Sequence, residues 1–394
     1  MLHLVRGSSS GGNPVRFLGW RELASRSVHV ALDATPLLGA VTGVGRYVAG
    51  LVGGLVALPD PPQVRLVAFT FRGARNVPRV AGTSLTGRRA PARLLQAAWL
   101  RSSWPPVEWL SGPVDVMHGT NFVLPPRRRA AGVLTIHDLA YLRDPGSVTA
   151  ASLRYQRLVP RALATGGVIV TPSQATAEEV MEQYQLNHDR VVVTPLGIDP
   201  TWAATVPPDA AWLGAHGLPA RYLLAVGSLE PRKDLATLVA AHARLVRGRP
   251  GTPPLVLVGP PGWGAPLAVG AEVVLTGYLS DDDLRRVVAG AELLAFPSRR
   301  EGFGLPPLEA LACGTPVVAS DLPATREVLR DAALLVPAGD VAAFSDALAM
   351  TLDAGRGEQL DQARRRERAA GFTWNRCAAA TLAAYQRALT AGQS

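Results

Sequence analysis

Lysine is almost missing from this chain. Of its 40 basic residues 39 are arginine, and Lys233 stands alone among 394 positions. Cysteine is nearly as scarce: Cys313 and Cys377 fall in different helix-like stretches, which speaks against a disulfide-stapled scaffold and suits free thiols in a reducing cytoplasm. Apolar runs of about eighteen residues do not occur, so no membrane-spanning helix is expected. The opening MLHLVRGSSSGGNPVRFLGWRELASRS has no continuous apolar stretch of leader length, so export is not expected, and residues 1–26 read as a flexible extension or a mis-set start. With 48% hydrophobic and 18% charged residues the chain reads as folded, and its length suits two domains better than one core.

Charge is spread unevenly. Residues 1–199 hold 21 arginines against 12 acids, whereas the remainder carries 19 basic against 19 acidic residues. Between Asp60 and Glu108 there is no acid at all, but eight arginines occur, interleaved with Trp99 and Trp104, and Trp109 follows at once. A basic, tryptophan-bearing amphipathic segment fits contact with anionic lipid head groups or an acidic acceptor; the alternative is that the tryptophans are core. Nucleic acid is the other partner that a basic face raises, and the balanced second half counts against it.

From residue 28 onward short apolar runs alternate with longer amphipathic stretches. VHVALD (28–33), VRLVAF (64–69), VDVMH (114–118), GVLTIH (132–137), GVIVTP (167–172) and RVVVTP (190–195) look like strands buried on both faces of a parallel sheet. After Asp199-Pro200 the pattern restarts with YLLAVG (222–227), LVLVG (255–259), EVVLTG (272–277), ELLAFP (292–297), PVVAS (316–320) and ALLVP (333–337). The expectation is an α/β chain of two Rossmann-like doubly wound units, 27–199 and 200–371, facing each other across a cleft, with a last helix in 372–394 crossing back to the first.

The densest chemistry is EGFGLPPLE at 301–309, just after an apolar strand. Gly302 and Gly304 let backbone approach a ligand, and Pro306 suits a helix start, so the amides of Gly302, Phe303, Gly304 and Leu305 would face anionic oxygens. Glu301 and Glu309 would then accept from hydroxyl groups, because carboxylates repel phosphate. In AVGSLEPRKD, Gly227 ends a strand and Arg232-Lys233 precedes a helix; two cations there would neutralise charge on a departing diphosphate. Gly43 and Gly45 open another helix, but Val48 takes the third position of the dinucleotide fingerprint and no acid ends the next strand, so a nicotinamide or flavin cofactor is not expected. These glycines suit close approach to a phosphate or sugar. His137, at a strand end, would donate a hydrogen bond to a reacting sugar or act on a proton, and His118 is a weaker candidate. The Asp281-Asp282-Asp283 triplet reads as a capped helix start and not as a metal site, and the Gly277-Tyr278-Leu279 turn would read a nucleobase edge.

EGFGLPPLE, LEPRKD, TGVGRY, TIHDL, PLGID and TGYLSDDDL, in chain order, resemble the retaining family-4 glycosyltransferases of the GT-B fold over roughly residues 28–390. The resemblance implies a nucleotide-sugar donor, with Glu301 on sugar hydroxyls, Glu309 on the ribose, Arg232 and Lys233 on the diphosphate, Gly43 approaching it from the other unit and His137 near the reacting carbon. It also implies transfer without a metal or other cofactor. HGTNFVLPP is similar to segments of mannosyltransferases using GDP-mannose. The acceptor would be a glycan or a lipid-linked glycan, and the protein would be cytoplasmic or peripheral at the inner membrane face. The competing readings are a nucleotide-sugar epimerase of related shape and a non-catalytic sugar-nucleotide-binding module.

Overall fold

The computed structural model describes residues 27–39, 42–71, 76–86, 91–264, 266–355 and 359–391. The expected extension at 1–26 lies outside them. Two wholly parallel sheets carry the fold. The first comprises β1 (His29–Asp33), β2 (Gln63–Val67), β3 (Thr83–Leu85), β4 (Val116–Gly119), β5 (Ala131–Thr135), β6 (Val168–Thr171) and β7 (Val191–Val193), in the order β3-β2-β1-β4-β5-β6-β7. The second comprises β8 (Leu223–Val226), β9 (Leu255–Val258), β10 (Val273–Gly277), β11 (Leu293–Phe296), β12 (Val317–Ser320) and β13 (Leu334–Val336), in the order β10-β9-β8-β11-β12-β13. Each of the twelve apolar runs forms a strand. The unforeseen one, β3, is a three-residue edge strand, too short and too exposed to leave an apolar run.

Six helices position the crevice or the surface beside it: α1 (Gly43–Val56), α2 (Ala92–Trp99), α3 (Gln174–Tyr184), α4 (Asp281–Gly290), α5 (Leu305–Cys313) and α6 (Trp374–Ala391). Helix α6 returns to the first unit, as the sequence suggested, and lies on α1. Two glycines make that possible: a Cβ on Gly50 would run into the Trp374 ring, and one on Gly54 into the Trp374 backbone. Tyr385 of α6 then completes a buried chain of hydrogen bonds. Its hydroxyl meets His118 Nδ1 at 2.8 Å, His118 Nε2 meets Thr135 Oγ1 at 2.8 Å, and Thr135 meets the Tyr47 hydroxyl of α1 at 2.9 Å. Both cysteines are buried, and the Cys313 thiol donates to the Trp202 carbonyl at 3.3 Å.

Candidate active site

Each sheet reverses its strand order once, between β1 and β4 in the first and between β8 and β11 in the second. Loops leaving the carboxyl ends of strands on either side of such a reversal diverge and leave a crevice. In the second sheet those loops are 227–234, with Arg232 and Lys233, and 297–304, with Glu301, Gly302 and Gly304. The two most informative motifs are therefore neighbours because of sheet order, not chain proximity.

Their side chains form one ion cluster. Lys233 Nζ lies 2.7 Å from Glu301 Oε1 and 4.9 Å from the centre of the Phe296 ring, while Arg232 Nη1 lies 3.1 Å from Glu301 Oε2 and Nη2 2.6 Å from Glu230. Burial would raise the Glu301 carboxyl, but Lys233 and Arg232 outweigh it and hold it at about 2. For Arg232 burial works against the charge, yet Glu301, Asp138 and Glu230 keep its pKa above the ordinary value. The cations expected on a diphosphate and the carboxylate expected on hydroxyl groups therefore touch each other directly. Because a carboxylate offers about four lone-pair sites, Glu301 can hold both cations and still accept from a hydroxyl.

Beyond Glu301 the chain turns sharply. Gly304, at φ 97°, precedes α5, whose first residue is Leu305 rather than Pro306. Among the described residues no acceptor takes the backbone N–H of Gly302, Phe303, Gly304 or Leu305, so four amides stay available at a helix start. The Phe303 ring is buried edge-on against Phe372, 5.6 Å between centres, so only its backbone serves the crevice. Gly302 is where the units touch: its carbonyl accepts from Ser173 Oγ at 2.7 Å and Thr176 Oγ1 at 3.2 Å, and a Cβ there would strike the His137 carbonyl oxygen. The first turn of α3 is held to the second unit as well, by the Glu327 carboxylate accepting from the amides of Gln174 and Ala175 at 2.9 and 3.0 Å.

His137 follows β5 and faces Gly302. Its Nε2 donates to the Thr120 carbonyl at 2.9 Å, and its ring packs edge-on against Tyr47 and Phe122. Burial lowers its pKa, partly offset by Thr120 and Asp138. A neutral ring whose one N–H is committed can only accept at Nδ1. Of the two roles expected for His137, acting on a proton is the one a neutral ring with Nε2 engaged by Thr120 can serve through Nδ1. His118 is corrected further: fully buried, with both nitrogens engaged and its pKa pushed down to about 3 by burial, it is structural.

The remaining glycines divide. Gly43 opens α1 with open space around it, but the Gly45 amide donates to the Thr42 side chain that caps the helix, 3.2 Å, and so is not free for a ligand. The Gly227 amide is likewise used, donating to the Val258 carbonyl at 2.9 Å; its missing side chain instead leaves room for the Lys233 stem. Leu279 lies partly buried between β10 and α4, beside exposed Tyr278. Ser280 caps α4, accepting from the Asp283 amide, so the acidic triplet is the helix start the sequence indicated.

Two features escaped sequence reasoning. Asp33 ends β1 at the first reversal, nearly buried, and burial pushes it up to about 6 against the hydrogen bonds from Thr35. Its position as an acid closing an apolar strand was a usable signal. Arg46 crosses from α1 to the second unit, with Nη1 2.9 Å from Glu309 Oε1 and Nη2 2.9 Å from Asp281. Burial raises the Glu309 carboxyl, and Arg46 works the other way. Arg46 stands in TGVGRY, but nothing local names its partners.

Residues 41–202 match the family model for Glycosyltransferase Family 4 and residues 220–354 that for Glycosyl transferases group 1. Among solved structures, sucrose-phosphate synthase from Thermosynechococcus elongatus superposes with a TM-score of 0.70 at 20% identity, covering 93% of this chain and 100% of that one. WaaG, a glycosyltransferase involved in lipopolysaccharide biosynthesis, gives 0.64 at 18% identity, covering 92% and 98%. Two parallel-sheet units meeting at a crevice, with these likenesses, are the GT-B glycosyltransferase architecture. The chain belongs to glycosyltransferase family 4 and is an enzyme of that kind. It is similar to O-antigen chain mannosyltransferase B of Escherichia coli, 29% identical over 386 residues, covering 89% of this chain and 97% of that protein.

Proposed function

We propose that the enzyme moves mannose from GDP-mannose to a glycan or lipid-linked glycan acceptor with retention of configuration and without a metal. The observation that carries this reading is the cluster of Lys233, Arg232 and Glu301 beside the four amides of 302–305, which have no acceptor among the described residues. Anionic oxygens of the donor diphosphate would lie between the cations and the amides, with Glu301 accepting from sugar hydroxyls and Glu309 from the ribose. As the anomeric carbon parts from the β-phosphate oxygen, the acceptor oxygen bonds to it on the same face, and the acceptor proton passes to the phosphate oxygen. Glu301, held ionised by two cations, is a poor nucleophile, which favours same-face attack over a double displacement. Neutralisation by Arg232 and Lys233 supports metal independence, since Asp281 is tied to Arg46 and Asp282 to Arg285. Mannose rests on the similarity to the O-antigen mannosyltransferase and on HGTNFVLPP. The test is transfer from GDP-mannose, UDP-glucose and UDP-N-acetylglucosamine with and without EDTA, with the product anomer read by NMR. Loss of activity in EDTA with rescue by magnesium overturns the metal-free reading, and an inverted anomer overturns retention.

No helix of the described residues is long and apolar enough to cross a membrane. A peripheral contact at the cytoplasmic face is supported by the first unit's surface. Trp104 and Trp109 are 61% and 54% exposed with ring centres 6.1 Å apart, and Arg93, Leu94 and Arg101 of the same stretch of chain are exposed as well. Together they would meet anionic head groups. Trp99 takes no part: it is core, donating to the Pro105 carbonyl at 3.0 Å. Of the eight clustered arginines, Arg72, Arg75, Arg88 and Arg89 lie outside the described residues.

A further inference from the structure

Arg46 sits one turn from the start of α1, where the helix dipole disfavours a cation. Nothing in its own helix explains it. Its guanidinium instead spans the crevice, with Nη1 on both oxygens of Glu309, at 2.9 and 3.2 Å, and Nη2 on Asp281 at 2.9 Å. The Glu309 side chain is 5% exposed, and Arg46 bonds to both of its carboxylate oxygens. If Glu309 accepts from the donor ribose, the role proposed for it in this enzyme and the one on which this inference rests, the ribose hydroxyls and Arg46 need the same lone pairs. A buried carboxylate left empty would also be costly, since it would lose its partner and tend to take up a proton.

We propose that Arg46 is a positioning residue that stands in for the ribose: in the empty enzyme it holds Glu309 aimed into the crevice, and it yields to the incoming nucleoside while Asp281 keeps its other arm. Asp281 suits that second task. Its side chain is 46% exposed at the first turn of α4, so it can follow the guanidinium as it withdraws, whereas Glu309 on α5 stays fixed. The exchange also trades one contact between the units for a contact to the donor, because Arg46 belongs to one unit and both carboxylates to the other. A donor lacking ribose hydroxyls gains nothing from displacing it.

Calorimetric titration tests this with whichever of GDP and UDP the full-length protein binds more tightly, and with its 2′,3′-dideoxy analogue. Arg46→Gln removes the competitor and should bind the ribonucleotide about tenfold more tightly, with little change for the dideoxy analogue. Arg46→Lys, keeping one charged arm, should fall between. A gain in affinity cannot arise from misfolding. Unchanged or weaker binding by Arg46→Gln, or an equal gain with the dideoxy analogue, overturns the proposal. Glu309→Gln separates it from the reading beneath it: if that variant binds the ribonucleotide as the parent does, Glu309 does not hold the ribose and the donor assignment fails first.

Discussion

Glu301 is the residue whose loss and whose partners' loss differ in a measurable way. Lys233 and Glu301 are both nearly buried, so Lys233→Ala leaves a carboxylate with Arg232 as its remaining partner and costs stability on the order of 3 kcal/mol. Transfer should fall by roughly 10²–10³-fold through the lost charge at the departing diphosphate. Initial rates and urea unfolding of the purified variant check both, and near-normal turnover would remove Lys233 from the chemistry. Glu301→Gln should lose transfer too but show a different acid limb. The folded carboxyl is held at about 2, below its ordinary 4.5, so its stabilisation is present above about pH 4.5 and is lost as pH falls toward 2. Residue types were legible here because a lone lysine and two bracketing glutamates announce themselves. Arg46 was not legible: Glu309 is 263 positions away and one arginine among 39 carries no mark of its partner.

At the scale of elements, the turn before α5 and the end of β5 meet without space to spare. Gly302→Ala would drive a methyl group into the His137 carbonyl and part the two units at the crevice. Misplacing reacting groups by about 1 Å costs on the order of 10²-fold. Steady-state kinetics of this variant should therefore show donor KM raised and kcat lowered together, and parent-like values would mean that the units close elsewhere. Strand positions were readable from apolar runs, even for the edge strands β10 and β13, which are only partly buried where burial on both faces was expected. Amide availability was not. Gly45 and Gly227 look as free as Gly43 in the sequence, yet a capping threonine and a neighbouring strand use their N–H groups.

Over the whole molecule, two properties arise from where charge and apolar surface end up. His118 is buried neutral between Tyr385 and Thr135, with a folded pKa of about 3 against an ordinary 6.5, so the unfolded chain takes up the proton first and stability falls as pH drops from about 6.5 toward 3. The thermal midpoint should decline over that range in the parent and decline less in His118→Gln, which calorimetry at stepped pH would show; parallel curves would mean His118 does not govern the acid limb. Trp104 and Trp109 project from the basic first unit, so replacing both with Ser should abolish flotation with anionic liposomes and leave soluble-acceptor transfer unchanged. Equal flotation of parent and variant would end the membrane reading. The amino-acid order by itself determined two successive parallel α/β units, a helix returning to the first, and the chemical character of the crevice, because apolar periodicity and glycine, proline and capping signals act over a few residues. Only the tertiary structure decided that Glu301 lies between Lys233 and Arg232, that Arg46 bonds to Glu309, and that His118 is core while His137 abuts Gly302 of the other unit. Those outcomes depend on strand order and on how two units meet, and pairing across such distances is a property of the packed whole.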